Sequence, residues 1–410
     1  MNNFFKADFH IHSKYSNSVS KFSTIEILSA WAKIKGLDII GTGDFTHPLW
    51  FKEIKNKLVE DKKTGLLKIK SPENINIFSD FSINNKNTLF ILTTEISCVY
   101  KKNGKTRKIH HLIFAPNIKT AEKIKDKLSK IGNINYDGRP VLGLDSKHLL
   151  EIVLESSPQS FLVPAHIWTP WFSIFGSQSG FDSIEECFEE LSEHIFALET
   201  GLSSDPNMNF LVSKLDKYTL ISNSDAHSPE KLGRECNIFS GEISYQNIFN
   251  AIKNHKVVST IEFFPEEGKY HLSGHRKCGF KVNPNEKQEI CPVCGGKLTQ
   301  GVLQRIYEFA DRPKPLNPNK NFSFINGIPL KELISEIISK GVNTKSVNTV
   351  YFDIIKKMKN EINVLFFANE KELSKINNTK IKKAILNIRK NKVKKICGYD
   401  GVFGKIKALT

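Results

Sequence analysis

Asp8-Phe9-His10-Ile11-His12-Ser13 closes an apolar run of strand character, Phe4–Ile11. Residues two apart on an extended strand share a side, so His10 and His12 address one point. Six further apolar runs follow: Leu37–Thr42, Leu89–Thr94, Ile109–Ala115, Ser160–Ala165, Ile195–Leu198 and Tyr218–Ser222. Between the first two, Ser23-Thr24-Ile25-Glu26 reads as a capping box opening a helix that Gly36 ends. This alternation predicts β-α units, with parallel strands closed as a barrel rather than spread as an open sheet. In such a barrel the C-terminal strand ends open on one face. There the chain places Asp44 and His47, Glu95, His110 and His111, His166, Glu199, and Asp225 with His227. A lone His-x-His is ordinarily a satisfied polar pair. Here seven of the 12 histidines lie at strand ends, and converging imidazoles and carboxylates predict a metal centre. We expect two or three divalent ions, zinc first, with manganese or magnesium as alternatives. Ions held together acidify a bound water and clamp a phosphate, which favours phosphoester hydrolysis; carbon–nitrogen hydrolysis uses similar barrels.

The 410 residues, 40% apolar, 25% charged and 10% aromatic, suit a globular chain of two or three domains rather than a disordered one. No apolar run approaches the roughly 18 residues a membrane span requires. Met1–Asp8 shows neither a signal-type run nor an Arg-rich leader. Seven cysteines make no disulfide framework, and we expect a cytoplasmic location. His275-x2-Cys278 and Cys291-x2-Cys294 are spaced as two knuckles of a structural zinc ribbon. The formal charge of +16 is concentrated late: residues 271–410 carry 27 Lys and Arg against 11 Asp and Glu. A neutral body with a basic end suggests a polyanion partner. The helical pattern Lys380–Ile396, with Lys383 and Arg389 beside an apolar face, and the Gly-rich stretch around Tyr399 are candidate nucleic-acid contacts, although solvated lysines are the ordinary reading. Trp168, Trp171 and Phe172 follow His166 and are expected either in the core or walling a pocket for an extruded base, with Glu199 and Asn223 adding hydrogen bonds. Asn56–Asn87, with weak periodicity, reads as an insertion or mobile loop.

The ordered set Asp8–Ser13, Asp44, Glu95, the His111 strand, His166 and Asp225-Ala226-His227 resembles the PHP (polymerase and histidinol phosphatase) family. The resemblance implies a distorted seven-stranded β/α barrel over residues 1–265, with a zinc-ribbon module at 266–315 and a basic, mainly helical nucleic-acid-binding region at 316–410. It implies that His10, His12, Glu95 and Asp225 hold one ion. Glu95 would bridge to a second, held by His111 and His166, with His227 on a third. His111 is favoured over His110 because Leu-Ile follows it as in the family. Phe45 stands where the family has histidine, which leaves Asp44 and His47 as alternatives at the third ion. Gly41–Pro48, His166–Phe172 and Ser222–His227 further resemble a branch of the family that nicks DNA 5′ to deaminated bases. The implied activity is a metal-dependent repair endodeoxyribonuclease acting beside deaminated bases or abasic sites, with Asp225, Glu95 and His227 in the chemistry. Damaged DNA is the implied partner and a sliding clamp a candidate one. A phosphatase of small phosphomonoesters and a non-catalytic, zinc-dependent nucleic-acid-binding protein are the competing readings.

Overall fold

Strand β1 (Phe4–Asp8) leads into helix α1 (Ile25–Lys35). The structure, a computed structural model, describes residues 3–284 and 286–409. The cap falls on Thr24, whose side chain accepts the Ile27 N–H, and Gly36 ends the helix at φ 93°. The hypothetical Cβ of Gly36 would meet Asn360 Oδ1 at 2.4 Å, so glycine also admits a distant part of the chain here. Then come β2 (Ile39–Gly41), α2 (Pro48–Lys57), β3 (Leu89–Lys102), β4 (Lys105–Ala115), β5 (Phe161–Pro164), β6 (Ala197–Glu199), β7 (Thr219–Ile221), β8 (Cys236–Ser240) and β9 (Ser259–Phe263). The C-terminal part adds β10 (Ser323–Gly327), α3 (Leu330–Ile338), α4 (Lys345–Met358) and α5 (Thr379–Arg389).

The main hydrogen-bonded order is β5-β4-β3-β2-β1-β8-β9-β10, a large mixed sheet. Strands β1, β2 and β3 pair in parallel, as the alternating pattern predicts. Strand β4 instead turns back on β3, and β5 runs antiparallel to β4. The cause is Asn103-Gly104, with φ 53° and 71°, a two-residue turn whose twist suits a tight hairpin. Strands β6 and β7 pair with each other in parallel. They are tied in on both sides: the Ile167 N–H donates to Glu199 O at 3.1 Å, and the His12 N–H to Ala226 O at 3.1 Å. Asn56–Asn87 is no simple loop but two hairpins, Leu58–Asp61 with Leu66–Ile69 and Asn74–Phe78 with Phe81–Asn84. Phe78 and Phe81 lie against Phe352, at ring separations of 5.2 and 4.8 Å. Their apolar partner is thus far away in sequence, which hides the pattern locally. Among the described residues no helix is long and apolar enough to cross a membrane.

One continuous apolar core runs from β1 to the end of the chain. Strand β10 pairs in parallel with β9, so the C-terminal part enters the same sheet. Glu361 is buried at the join: its Oε2 receives Lys35 Nζ and Tyr351 Oη, each at 2.6 Å, and its Oε1 the Leu330 N–H at 2.9 Å. Removing one partner of a buried ion pair strands the other charge and costs about 3–5 kcal/mol. Lys35→Met is therefore expected to lower stability by about that amount. Urea unfolding followed by circular dichroism checks it; a loss of under about 1 kcal/mol, the range of an exposed pair, would contradict the clamp.

Candidate metal centre

Glu95 stands in the middle of β3 with its side chain sealed from solvent. Its Oε2 lies 3.3 Å from His10 Nε2, 3.3 Å from His12 Nε2 and 3.2 Å from Arg139 Nη1. Its Oε1 lies 2.7 Å from His110 Nδ1 and 3.3 Å from His166 Nε2. Asp225 Oδ1 completes the first side, 3.1 Å from His12 Nε2 and 3.7 Å from His10 Nε2. Two ligand groups result, His10/His12/Glu95/Asp225 and Glu95/His110/His166, each with its ligand atoms within 4.8 Å of one another. Asp44, His166 and Asp225 carry φ of 48°, 32° and 46°, a conformation that surrounding structure must enforce on residues with a Cβ.

Burial alone would push the His10 and His12 imidazoles down. Glu199 and Glu95 lift His10, and Asp44 and Asp225 lift His12, well above the ordinary histidine value. Burial would also raise Glu95 and Asp225, yet His110, Arg139 and His10 hold Glu95 well below its ordinary value, and His12, His10 and His227 do so for Asp225. Burial pushes His110 down to about 4. His10 Nε2 is buried and makes no hydrogen bond, although carboxylate oxygens surround it. Ionised carboxylates beside such a nitrogen fit a divalent cation, which displaces protons from imidazole when it binds.

An outer layer of carboxylates sets the ring orientations. Glu199 oxygens lie 3.0 and 3.1 Å from His10 Nδ1 and also accept the His166 N–H and Asn223 Nδ2. Asp44 Oδ1 lies 3.0 Å from His12 Nδ1, while its Oδ2 accepts the Ser13 N–H and the Ser13 and Ser16 hydroxyls. With Nδ1 committed outward, Nε2 of each ring is left for the centre. Asp44 is thus a support for His12 rather than a member of either ligand group. Asp8, its carboxyl raised to about 6 by burial, accepts the Ser224 and Gly233 N–H groups and fixes the segment carrying Asp225.

Several predicted residues stand elsewhere. His111 is replaced by His110 in the second group. In the β3–β4 register Ser97 opposes His110 and Ile96 opposes His111, so His110 shares the Glu95 face and His111 the opposite one. His111 Nε2 meets Ser146 Oγ at 2.8 Å, and burial takes its pKa to about 3. His47 caps α2, places Nε2 3.1 Å from Asn135 O and stacks on Tyr15, outside both groups. His227 lies at the rim, its ring 4.8 Å from His12 and its Nδ1 2.9 Å from Asp225 O. Glu199 and Asn223 are buried in the support network, bonded to each other through Asn223 Nδ2. Trp168 is core, donating to Asn209 Oδ1 and packing on Phe175 and Phe309. Phe172 packs on the His110 ring at 4.8 Å, and Trp171 is 39% exposed. Arg389 donates to the carbonyls of Leu365, Ala368 and Val364, so it locks a helix end; Tyr399 is buried beneath Lys281. Lys383 is exposed on α5. His275, Cys278, Cys291 and Cys294 bring one ligand atom each within 4.8 Å of the others.

Nothing in the local sequence around Arg139 distinguishes it from an ordinary loop arginine. Its position follows from Gly138, whose hypothetical Cβ would meet Ser16 Oγ at 2.2 Å and Asp44 Oδ2 at 2.3 Å; only glycine lets the loop lie there. Asn17 Nδ2 to Asp137 Oδ2 at 2.7 Å and the Ser97 N–H to Pro140 O at 3.0 Å pin both flanks.

Carboxylates behind ligating histidines typically carry 10- to 100-fold in metal affinity. Glu199→Gln and Asp44→Asn are expected to weaken the tightest ion by about that factor in chelator-competition titrations. Elemental analysis after dialysis should show ion loss in His110→Ala and none in His111→Ala; the reverse pattern would overturn the register argument.

Residues 329–392 match the MJ0043 C-terminal domain family. Protein MJ0043 of Methanocaldococcus jannaschii is 37% identical over 289 residues, 68% of this chain; the chain spans 35% of that relative's length. Protein YqxK of Bacillus subtilis is 27% identical over 98% of both chains. The lesion-specific endonuclease PfuEndoQ of Pyrococcus furiosus superposes with a TM-score of 0.85 at 30% identity, covering 99% of this chain and 95% of the other. Endonuclease Q bound to a 27-mer duplex with an abasic lesion at its active site gives 0.84 at 30% identity, covering 99% and 96%. Sharing nearly its whole length and its mixed α/β sheet with these structures, and carrying the PHP motif set, the chain belongs to the endonuclease Q family of PHP-type proteins.

Proposed function

We propose that this chain is a metal-dependent DNA-repair endonuclease that hydrolyses the phosphodiester 5′ to a deaminated base (uracil, hypoxanthine, xanthine) or an abasic site. The observation that carries it is Glu95 shared by two ligand groups with Arg139 beside it, a cluster suited to a phosphate bearing one negative charge. Residues 1–265 would form a distorted seven-stranded β/α barrel, residues 266–315 a module on one structural zinc, and residues 316–410 a basic DNA-binding region. His10, His12, Glu95 and Asp225 would hold one ion, and Glu95, His110 and His166 a second, with zinc favoured by the nitrogen-rich set. When bound, such ions supply an acidified water and charge stabilisation at the phosphoryl oxygens.

The chain's own residues do the rest. Arg139 keeps one Nη1 contact to Glu95 and has the remaining donors of its fork for a non-bridging oxygen of the scissile phosphate. Burial lowers the His227 pKa, and its Nδ1 lies beside Asp225 O, which leaves Nε2 to take a proton from the attacking water. The new P–O bond forms as the P–O3′ bond breaks, water takes a place on phosphorus with its proton passing to His227 Nε2, and solvent returns one proton to O3′, leaving a 3′-hydroxyl on the upstream nucleotide and a 5′-phosphate on the lesion nucleotide. The endonuclease Q complex with an abasic duplex supports this substrate class.

Labelled duplexes with uracil, hypoxanthine or an abasic site are expected to be nicked on the 5′ side of the lesion, with undamaged duplex left intact. Turnover of small phosphomonoesters alone would favour the phosphatase reading. Asp225→Asn should abolish nicking while the protein still binds DNA. Arg139→Ala should slow single-turnover nicking about 10²–10³-fold, the range for losing one preorganised charge donor; an unchanged rate would remove Arg139 from the mechanism.

A further inference from the structure

The loop after His166 splits its aromatic residues. Phe172 packs on a ligand ring, while its neighbour Trp171 reaches the surface and meets Tyr270 edge-on at 5.4 Å. Trp171 is nonetheless fixed to the metal centre, because Thr169 Oγ1 bonds both to His166 Nδ1 at 3.2 Å and to Trp171 O at 3.0 Å. On the other side of Tyr270, Lys269 Nζ lies 5.5 Å from the Tyr270 ring and 6.0 Å from the Phe403 ring. Phe403 is 74% exposed. The four side chains form one strip leading from the metal rim to the C-terminal turn.

Phe403 belongs to a turn that is held at several points. Gly398, Gly401 and Gly404 donate their N–H groups to Glu266 O, Lys269 O and Glu267 O, and Tyr399 and Val402 bond each other. Gly401 at φ 86° leaves room for the Arg276 guanidinium, which would lie 3.3 Å from a Cβ there. The carboxylates around the strip are already engaged: Asp400 accepts the Arg276 N–H and Thr299 Oγ1, Glu266 pairs with Lys395 at 2.8 Å, and Glu267 accepts the Ile406 N–H. A rigid, exposed row of aromatic rings bearing cations is costly to keep in water and poorly matched to an apolar protein surface, which would have to bury Lys269 and Arg276. It matches nucleobases, whose faces stack on aromatic rings while the adjoining phosphates pair with the cations.

We propose that Trp171, Tyr270, Lys269 and Phe403 form a stacking strip for unpaired nucleobases, occupied by the bases left without partners beside and opposite the nucleotide drawn into the metal centre. The strip rests on the nuclease reading, since it presumes DNA at the rim, and it differs from a pocket for the lesion itself. Extruding a nucleotide costs unstacking energy, and the strip returns part of it.

Trp171 is also a built-in reporter, because Trp31, Trp50 and Trp168 are all buried. Binding of an abasic duplex protected from cleavage by a phosphorothioate at the scissile bond is expected to quench tryptophan fluorescence, and Trp171→Phe should remove the quench. Phe403→Ala and Trp171→Ala should each weaken binding of that duplex about tenfold by fluorescence anisotropy, as expected for loss of one base–aromatic stack, and Phe403→Trp should restore it. If the wild-type protein binds the duplex and the alanine variants bind equally well with the quench retained, the strip is overturned and the nuclease reading stands. If the wild-type protein binds no lesion duplex, both fall together.

Discussion

A carboxylate with no access to water faces four imidazoles and a guanidinium at Glu95, and the architecture around the rim serves to keep it there. An ionised group so deeply buried is tolerable only if opposite charge is fixed nearby, whether protons on histidine, the arginine, or a metal ion. The fixing groups come from four separate places: the extension of β1 with His10 and His12, β4 with His110, the loop between β4 and β5 with Arg139, and the loop after β5 with His166. None tolerates displacement, because an imidazole moved by an ångström leaves an unpaired charge rather than a weaker bond. The left-handed backbone at Asp44, His166 and Asp225 fits this constraint, being strain retained at the points where the chain must deliver a side chain inward.

The same constraint explains the outer carboxylates. Glu199 and Asp44 lie behind His10 and His12, and each is itself held by several donors. Their charge raises the basicity of the rings and selects the nitrogen that faces the centre. Read as separate residues they look like substrate contacts or extra ligands. In place they form a second ring whose product is the orientation of the first.

What was legible in the sequence was whatever is encoded within a few residues. The His10/His12 spacing, the Cys and His quartet and the seven apolar runs needed no tertiary information, and all reappear in the fold. What was hidden depended on pairing across distance. His110 and His111 are adjacent, and only the register of β4 on β3 decides which one meets Glu95. The Asn103-Gly104 turn that sets this register is itself a hairpin signal, outweighed in the local pattern by the surrounding β-α alternation. Arg139 carried no local mark, and its placement rests on the space that Gly138 leaves against Asp44. The aromatic residues after His166 were ambiguous for another reason: Trp168, Trp171 and Phe172 have similar chemistry, and their division among core, surface and ligand support is settled by loop geometry.

The C-terminal part changes the meaning of the charge asymmetry. Some of its cations are structural: Lys331 lies over Trp31 and pairs with Glu230, and Arg389 closes a helix end. Strand β10 extends the main sheet, and Glu361 reaches Lys35 on α1, close in sequence to the His12 segment. Removing this region would strip a strand from β9, leave Lys35 without its partner and uncover Trp31, which packs on Tyr351 and Phe352. A basic appendage that merely adds affinity would be dispensable to the fold; this one shares the core with the domain that carries the metal centre. The DNA contact proposed for this region is therefore separable from its structural role only at exposed cations such as Lys383, where a charge can be removed without disturbing a buried partner.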